Sequence, residues 1–116
     1  MYGFRANDPW NILIGKQVIQ ICFGKNDTIF NFDNDTSLSV EASFELLCGG
    51  RTLKQNDESL FSKLVGVLGS KVIKILIPNA QVMNIFFENE TVLILHDTHE
   101  MFEAVQLNGP NIQIIV

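Results

Sequence analysis

The feature that most constrains the fold of this chain is an internal repeat. Residues 15–21 (GKQVIQI) match residues 69–75 (GSKVIKI), and residues 32–38 (FDNDTSL) match residues 87–93 (FENETVL). In both copies apolar, β-branched runs are separated by Gly, Asn and acidic residues, which is typical of short β-strands joined by tight turns. The repeated unit is therefore predicted to be a β-meander.

The match continues beyond these blocks. Phe44-Glu45 matches Phe102-Glu103, with extra residues in the second copy. We interpret residues 13–48 and 67–107 as two copies of one meander inside a single domain that spans residues 1–116, because this length suits one domain. Two unrelated meanders would also share some V-x-I patterns by chance, since short apolar runs are ambiguous.

Between the two copies the spacing of apolar residues changes. Leu60, Phe61, Leu64 and Val65 fall on one side at helical spacing, which predicts one short helix over residues 58–65. The remaining apolar runs predict about nine strands. The predicted fold is therefore mainly β, either a β-sandwich or a partly closed antiparallel barrel built from the two meanders.

One strand of the second copy differs from its counterpart in the first. Ser37 and Ser39 alternate with apolar residues in the first copy, whereas Val92 and Ile94 stand at those places in the second. A strand that is apolar on both sides is typical of one buried on both faces. We expect something to cover Val92 and Ile94: the helix, which we favour, a second subunit or a partner protein.

The charges are unevenly distributed along the chain. The net charge is −5, and residues 26–50 and 75–116 each contain five acids and no Lys or Arg. Nucleic-acid binding needs clustered Lys and Arg to neutralise phosphates, so this class of function is disfavoured. The same negative field favours a basic protein partner.

The sequence has no stretch that resembles a signal peptide and no apolar run long enough to span a membrane. Cys22 and Cys48 have no metal-like spacing. We expect two free, buried thiols in a reducing compartment, with a disulfide between them as the alternative. These features predict a cytoplasmic protein without a membrane partner.

The motif H-D-T-H-E at residues 96–100 is the part of the sequence most similar to a metal site. Two His three residues apart, with carboxylates, could hold a divalent ion. The chain has no further His, however, and the helical zinc-protease motif needs His at i and i+4. We predict a solvated acidic loop here, with no metal and no cofactor.

No catalytic constellation accompanies this motif. The Ser, Cys and His residues are not part of a nucleophile elbow, and the sequence lacks a glycine-rich phosphate loop. The carboxylates that lie close together in the sequence belong to predicted turns. We therefore predict that the chain is not an enzyme.

The candidate partner-binding residues are the acids at the turns of both meanders and in the extra segment of the second copy. Turns lie at the surface, so we expect these carboxylates to be exposed. Such acids would speed the encounter with a basic partner and help to select it. They are Asp33, Asp35, Glu88, Glu90, Asp97 and Glu100.

The pattern L-x-G-x-x-V-x-x-I, followed by F-[DE]-N-[DE]-T-x-L, resembles small β-rich bacterial proteins. Some of these are immunity proteins of polymorphic toxins, including those of contact-dependent growth inhibition systems. The resemblance covers most of residues 13–107 and implies a protein that neutralises a cognate toxin domain by occluding its active site. The acidic surface suggests that such a toxin is a basic nuclease.

The residues leave a second function open. A β-structure rich in Phe could bind a small molecule in its interior or at its mouth, without catalysis. Ordinary core filling also accounts for the Phe residues.

Overall fold

The computed structural model describes residues 3–5, 7–97 and 105–116. Within them the chain forms ten β-strands, one α-helix and one turn of 3₁₀-helix at Trp10–Leu13. The elements are β1 (Val18–Phe23), β2 (Thr28–Phe32), β3 (Thr36–Val40), β4 (Ser43–Cys48), β5 (Arg51–Lys54), α1 (Ser59–Val65), β6 (Val72–Asn79), β7 (Val82–Phe87), β8 (Val92–His96), β9 (Val105–Gly109) and β10 (Ile112–Ile115).

The strands form two antiparallel five-stranded sheets, which confirms the predicted mainly β fold as a sandwich of two open sheets. The first sheet has the order β1-β2-β3-β9-β10, and the second sheet has the order β5-β4-β8-β7-β6. Each sheet therefore combines three consecutive strands from one half of the chain with a hairpin from the other half. The two halves are intertwined, and neither half contains a complete sheet.

The described residues contain one strand more than the predicted number of about nine. The additional strand is β5 (Arg51–Lys54), whose sequence contains no apolar run that would have predicted it. Gly49 and Gly50, with φ of 58° and 78°, form a two-residue turn that returns the chain along β4. The predicted helix is confirmed at Ser59–Val65, and just before it the carboxylate of Asp57 accepts the backbone N–H of Lys54 at 2.8 Å.

The core lies between the two sheets and is closed by the helix. Alternate residues of each strand point inward, as the period of two requires. From α1, Leu60 and Leu64 join this core and are fully buried. The largest fully buried side chains belong to Trp10, Phe30, Phe87, Leu13, Leu38, Leu46, Leu60, Leu64, Met83, Ile85, Leu93 and Leu95.

The start of β1 and the start of β6 meet in an antiparallel bridge between Gln17 and Lys71. The hydrogen bonds on one side of the bridge recur on the other side. Gly15 N–H donates to Val72 O at 2.7 Å, and Gly69 N–H donates to Val18 O at 2.8 Å. Since these are the residues that the repeat equates, an approximate local twofold axis passes through the bridge.

The strand pairing shows that the β4–β5 and β9–β10 hairpins are also equivalent. Each of them joins the sheet that contains the three strands of the other half of the chain. Val40 pairs with Val105 in the first sheet, and Leu95 pairs with Phe44 in the second. Because Val40 and Leu95 are equivalent, Phe44 corresponds to Val105. The predicted match of Phe44-Glu45 to Phe102-Glu103 is wrong in register, and residues 102 and 103 lie outside the described part of the chain.

Candidate partner-binding surface

The two acidic turns of the meanders lie at the same end of the molecule. Asp33 Oδ1 accepts the backbone N–H of Gln17 at 3.0 Å, and Glu88 Oε1 accepts that of Lys71 at 3.2 Å. Because Gln17 and Lys71 form the bridge, each turn is one strand spacing from it. The backbones at Asp33 and Glu88 are therefore at most about 15 Å apart, which is three strand spacings.

The second acid of each turn occupies a left-handed backbone conformation. Asp35 has φ of 54° and Glu90 has φ of 69°, and both side chains are exposed. Asp tolerates this region because its short side chain can hydrogen-bond locally, whereas Glu gains no such compensation. Glu90 therefore presents a carboxylate at a position where Asn or Gly would fit the backbone better.

The prediction that all the candidate acids are exposed is wrong for Asp97. This side chain is fully buried, and its Oδ2 accepts the backbone N–H of Gly3 at 2.8 Å. Phe4 N–H donates to Ala80 O at 2.6 Å in the same region. The N-terminal segment therefore lies over the β6–β7 turn and covers Asp97, a long-range contact that turn chemistry does not predict.

Asp97 Oδ1 is buried as well and has no hydrogen-bond partner among the described residues. Glu100, the last of the candidate acids, lies outside the described residues, and so does His99. Within the described residues, the candidate acids at the surface are Asp33, Asp35, Glu88 and Glu90, with Asp33 half-buried.

His96 is not part of a solvated loop, contrary to prediction. It is the last residue of β8, and its Nε2 lies 2.7 Å from Glu45 Oε1 on the neighbouring strand β4. Lys54 and Gln55 line the adjacent surface groove, which has a volume of about 390 Å³. Among residues 3–5, 7–97 and 105–116, no three His, Cys, Asp or Glu side chains are arranged to hold a metal ion. With His99 outside these ranges, the absence of a metal stays a prediction.

The outer side of the second sheet carries a group of apolar side chains that we call the apolar face. Val92 lies at its centre, paired with Leu47 of β4 on one side and with Phe86 of β7 on the other. All the members are half-buried. The face comprises Leu47, Val82, Phe86, Val92 and Ile94.

The helix does not cover this face, so the expectation that α1 buries Val92 and Ile94 is wrong. Leu60 and Leu64 of α1 pack into the core, on the opposite side of the sheet. Lys74 lies at the edge of the apolar face, with its Nζ 5.4 Å from the centre of the Phe86 ring. The face is therefore bordered by charged groups on its β6 side.

On the first sheet, the positions that correspond to Leu47, Phe86, Val92 and Ile94 are polar, although Ile29 lies on the same side. Ser37 pairs with Asn31 and with Asn108, in the same way as Val92 pairs with Phe86 and Leu47. The Nδ2 of Asn31 donates to Gln20 Oε1 at 2.9 Å. Asn31, Ser37 and Asn108 are also half-buried, so these positions and their equivalents on the second sheet have similar exposure but opposite chemistry.

Comparison with protein-family models, with curated proteins and with solved structures finds no match to this chain. In the described part of the chain, no helix is both long and apolar enough to cross a membrane. Cys22 and Cys48 are free and half-buried, on strands of different sheets.

The sequence contains a signal for the apolar face, because Val92 and Ile94 make their strand apolar on both sides. Leu47 and Phe86 carry no such signal on their own, since apolar residues within a strand usually face the core. Only the strand pairing brings them next to Val92.

Proposed function

We propose that this chain is a protein-binding module that contacts its partner through the apolar face. The observation that carries the proposal is the difference between equivalent positions of the two sheets. In the strand pairing, Asn31, Ser37 and Asn108 of the first sheet occupy the same positions as Phe86, Val92 and Leu47 of the second. The fold therefore does not require apolar residues on the outer side of a sheet, and their presence on one side needs another reason.

Protein association supplies that reason. Contiguous apolar patches bordered by polar residues mark interaction surfaces, because burying them against a partner removes them from water. The apolar face has this organisation, with Glu45 and Lys74 beside its central residues. A protein interface is typically built in the same way, with an apolar centre and a polar rim.

The acidic turn of the second copy borders the same surface. Phe86 and Val92 form the last pair of the β7–β8 hairpin, and Glu88 and Glu90 lie in the turn that follows. Their carboxylates would form the rim of an interface centred on Val92. A negative rim favours a positively charged partner and speeds its association.

The more specific form of the proposal is that the partner is a basic toxin domain, which the chain neutralises by covering its active site. Its support is the acidic rim together with the sequence resemblance to immunity proteins. The alternative, a small-molecule site in the interior, has less support because the space between the sheets is occupied by fully buried side chains such as Leu38, Ile85 and Leu93.

The test is a titration against any toxin domain that is encoded directly beside the gene for this chain. The variant Ile94→Asp places a charge in the apolar face, and Ser39→Asp places the same charge at the equivalent position of the first sheet. We expect wild type and Ser39→Asp to bind and inhibit with one-to-one stoichiometry. We expect Ile94→Asp to bind at least about thirtyfold more weakly, the effect of a central interface residue.

The outcomes test two parts of the proposal separately, which are binding through the apolar face and the identity of the partner as a toxin. Equal loss of affinity in both variants, or no loss in either, would contradict binding through the apolar face. A neighbouring toxin that binds no form of the chain, with both variants folded by circular dichroism, would remove the toxin as the partner.

A further inference from the structure

The four edge strands of the two sheets differ in how well they are protected from further pairing. β1 and β6 each contain a bulge near the start, and the Gln17–Lys71 bridge joins them to each other. β5 carries the charged residues Arg51 and Lys54 at its two ends. Bulges and edge charges are the usual devices that prevent a sheet edge from accepting another strand.

Strand β10 has none of these devices. Its sequence is Ile-Gln-Ile-Ile, without a charge or a proline, and it pairs with β9 without a register shift. The equivalence of the two hairpins aligns Lys54 of β5 with Ile115 of β10. The position that carries a charge on one edge therefore carries a 40% exposed isoleucine on the other.

The backbone groups on the outer side of β10 have no hydrogen-bond partner among the described residues. Val105 and Val116 exchange two backbone hydrogen bonds, of 3.3 and 3.0 Å. Since hydrogen-bonded and non-hydrogen-bonded pairs alternate in an antiparallel ladder, Gln113 and Ile115 direct their N–H and C=O groups away from β9. In the part of the chain that the structure describes, β9 is the one strand that pairs with β10.

A groove of about 330 Å³ runs along residues 112–116 of the β10 edge, and its other wall is formed by the N-terminal segment. Arg5 and Asp8 of that wall carry one charge of each sign. Backbone hydrogen bonding at an open edge selects an extended strand as the occupant.

We propose that β10 is a self-association edge, at which a second copy of this chain adds its own β10 in antiparallel orientation. The twofold axis passes between the two Ile114 residues and places Gln113 of each copy opposite Ile115 of the other. Four backbone hydrogen bonds then form, and the two first sheets join into one ten-stranded sheet.

A second copy fits this edge better than the basic partner proposed above. The side chains of β10 are uncharged, so they offer a basic partner no electrostatic attraction, and the antiparallel pairing of two copies brings no like-charged side chains together. Among the described residues of the groove wall, the charges of Arg5 and Asp8 cancel. The dimer uses the first sheet and leaves the apolar face of the second sheet free. An edge-to-edge contact is small, so we expect a reversible dimer.

The test is sedimentation velocity over concentrations that reach the millimolar range. We expect wild type to shift from monomer to dimer, and Ile115→Lys to weaken this dimer at least tenfold. Ile115→Lys introduces the charge that the equivalent edge already has at Lys54. The matched control is Lys54→Gln on the β5 edge, which we expect to leave the dimer unchanged.

A double variant tests the register. In Gln113→Glu combined with Ile115→Lys, the introduced carboxylate of each copy faces the introduced ammonium of the other, so we expect the dimer to be restored. All variants are first compared with wild type by circular dichroism. A wild type that stays monomeric throughout would overturn the proposal. So would a dimer that survives Ile115→Lys, or one that Ile94→Asp disrupts instead. Failure of the double variant to restore it would overturn the register.

Discussion

Gln17 and Lys71 face each other across an antiparallel bridge, and each donates its backbone N–H to an acid of its own half, Asp33 or Glu88. This relationship places two acidic turns at one end of the molecule. It also shows which residues of the two sheets are equivalent, so the sheets can be compared residue by residue. Leu47, Phe86, Val92 and Ile94 of the apolar face therefore each have a counterpart in the first sheet, which supplies control variants.

The first prediction concerns Asp97. Replacing it with Ala leaves the buried Gly3 N–H without an acceptor, and we expect the free energy of unfolding to fall by about 1–3 kcal/mol, the cost of an unsatisfied buried donor. Asp97→Asn keeps an oxygen acceptor and should lose less. Urea denaturation measures both variants. An Asp97→Ala variant as stable as wild type would mean that this contact does not hold the N-terminal segment.

The second prediction concerns the exchange of hairpins between the halves. Fragments 1–56 and 57–116 each lack two strands of a sheet, so we expect neither to fold alone as a monomer. Mixed together, they should form a one-to-one complex with the β-sheet spectrum of the intact chain. Circular dichroism and size-exclusion chromatography follow both properties. A separate fragment that is monomeric and fully folded would contradict the intertwined topology.

The third prediction concerns Glu90 and its left-handed backbone. Asn adopts this conformation more readily, so we expect Glu90→Asn to raise the free energy of unfolding by about 1 kcal/mol. The same change removes a carboxylate from the proposed rim. We therefore expect slower association with the toxin domain and a weaker dependence of the rate on ionic strength.

The control for this prediction is Glu58→Gln, which neutralises an exposed acid at the start of α1. It should change neither the association rate nor its salt dependence appreciably. If Glu90→Asn and wild type associate equally fast at every ionic strength, the turn of the second copy is not part of the interface.

Local patterns in the sequence predicted the fold class and most strands. Alternation identified Leu38 and Val40 as inward residues, and both are buried. Helical spacing located α1 to within a residue of its start. These features depend on interactions between residues that are close in the sequence. The composition and the spacing of apolar residues therefore indicate them.

Features that depend on distant parts of the chain were not predicted. Simple alternation places Ile19 and Ile21 on the same side of β1, but the bulge after Val18 turns Ile19 outward, where it is 61% exposed. The pairing of β3 with β9 is equally nonlocal. For the same reason the sequence placed Asp97 on the surface, since nothing in its turn indicates that Gly3 packs over it.

The apolar face was only partly predictable. Val92 and Ile94 were recognised as unusual, and the helix was the natural candidate to cover them. The helix instead places Leu60 and Leu64 in the core and contacts β4 and β5, so it closes one side of the sandwich. What remains uncovered by the described residues is therefore a surface of the second sheet.

The central claim is that a partner protein binds this surface, and methyl NMR of the toxin complex tests it most directly. Ile94 lies on the outer side of the second sheet and Ile29 on the outer side of the first, both half-buried. We predict that toxin binding shifts the Ile94 methyl signals and brings them close to protons of the partner, while the Ile29 signals stay unchanged. Shifts and partner contacts at Ile29, with Ile94 unaffected, would contradict the claim.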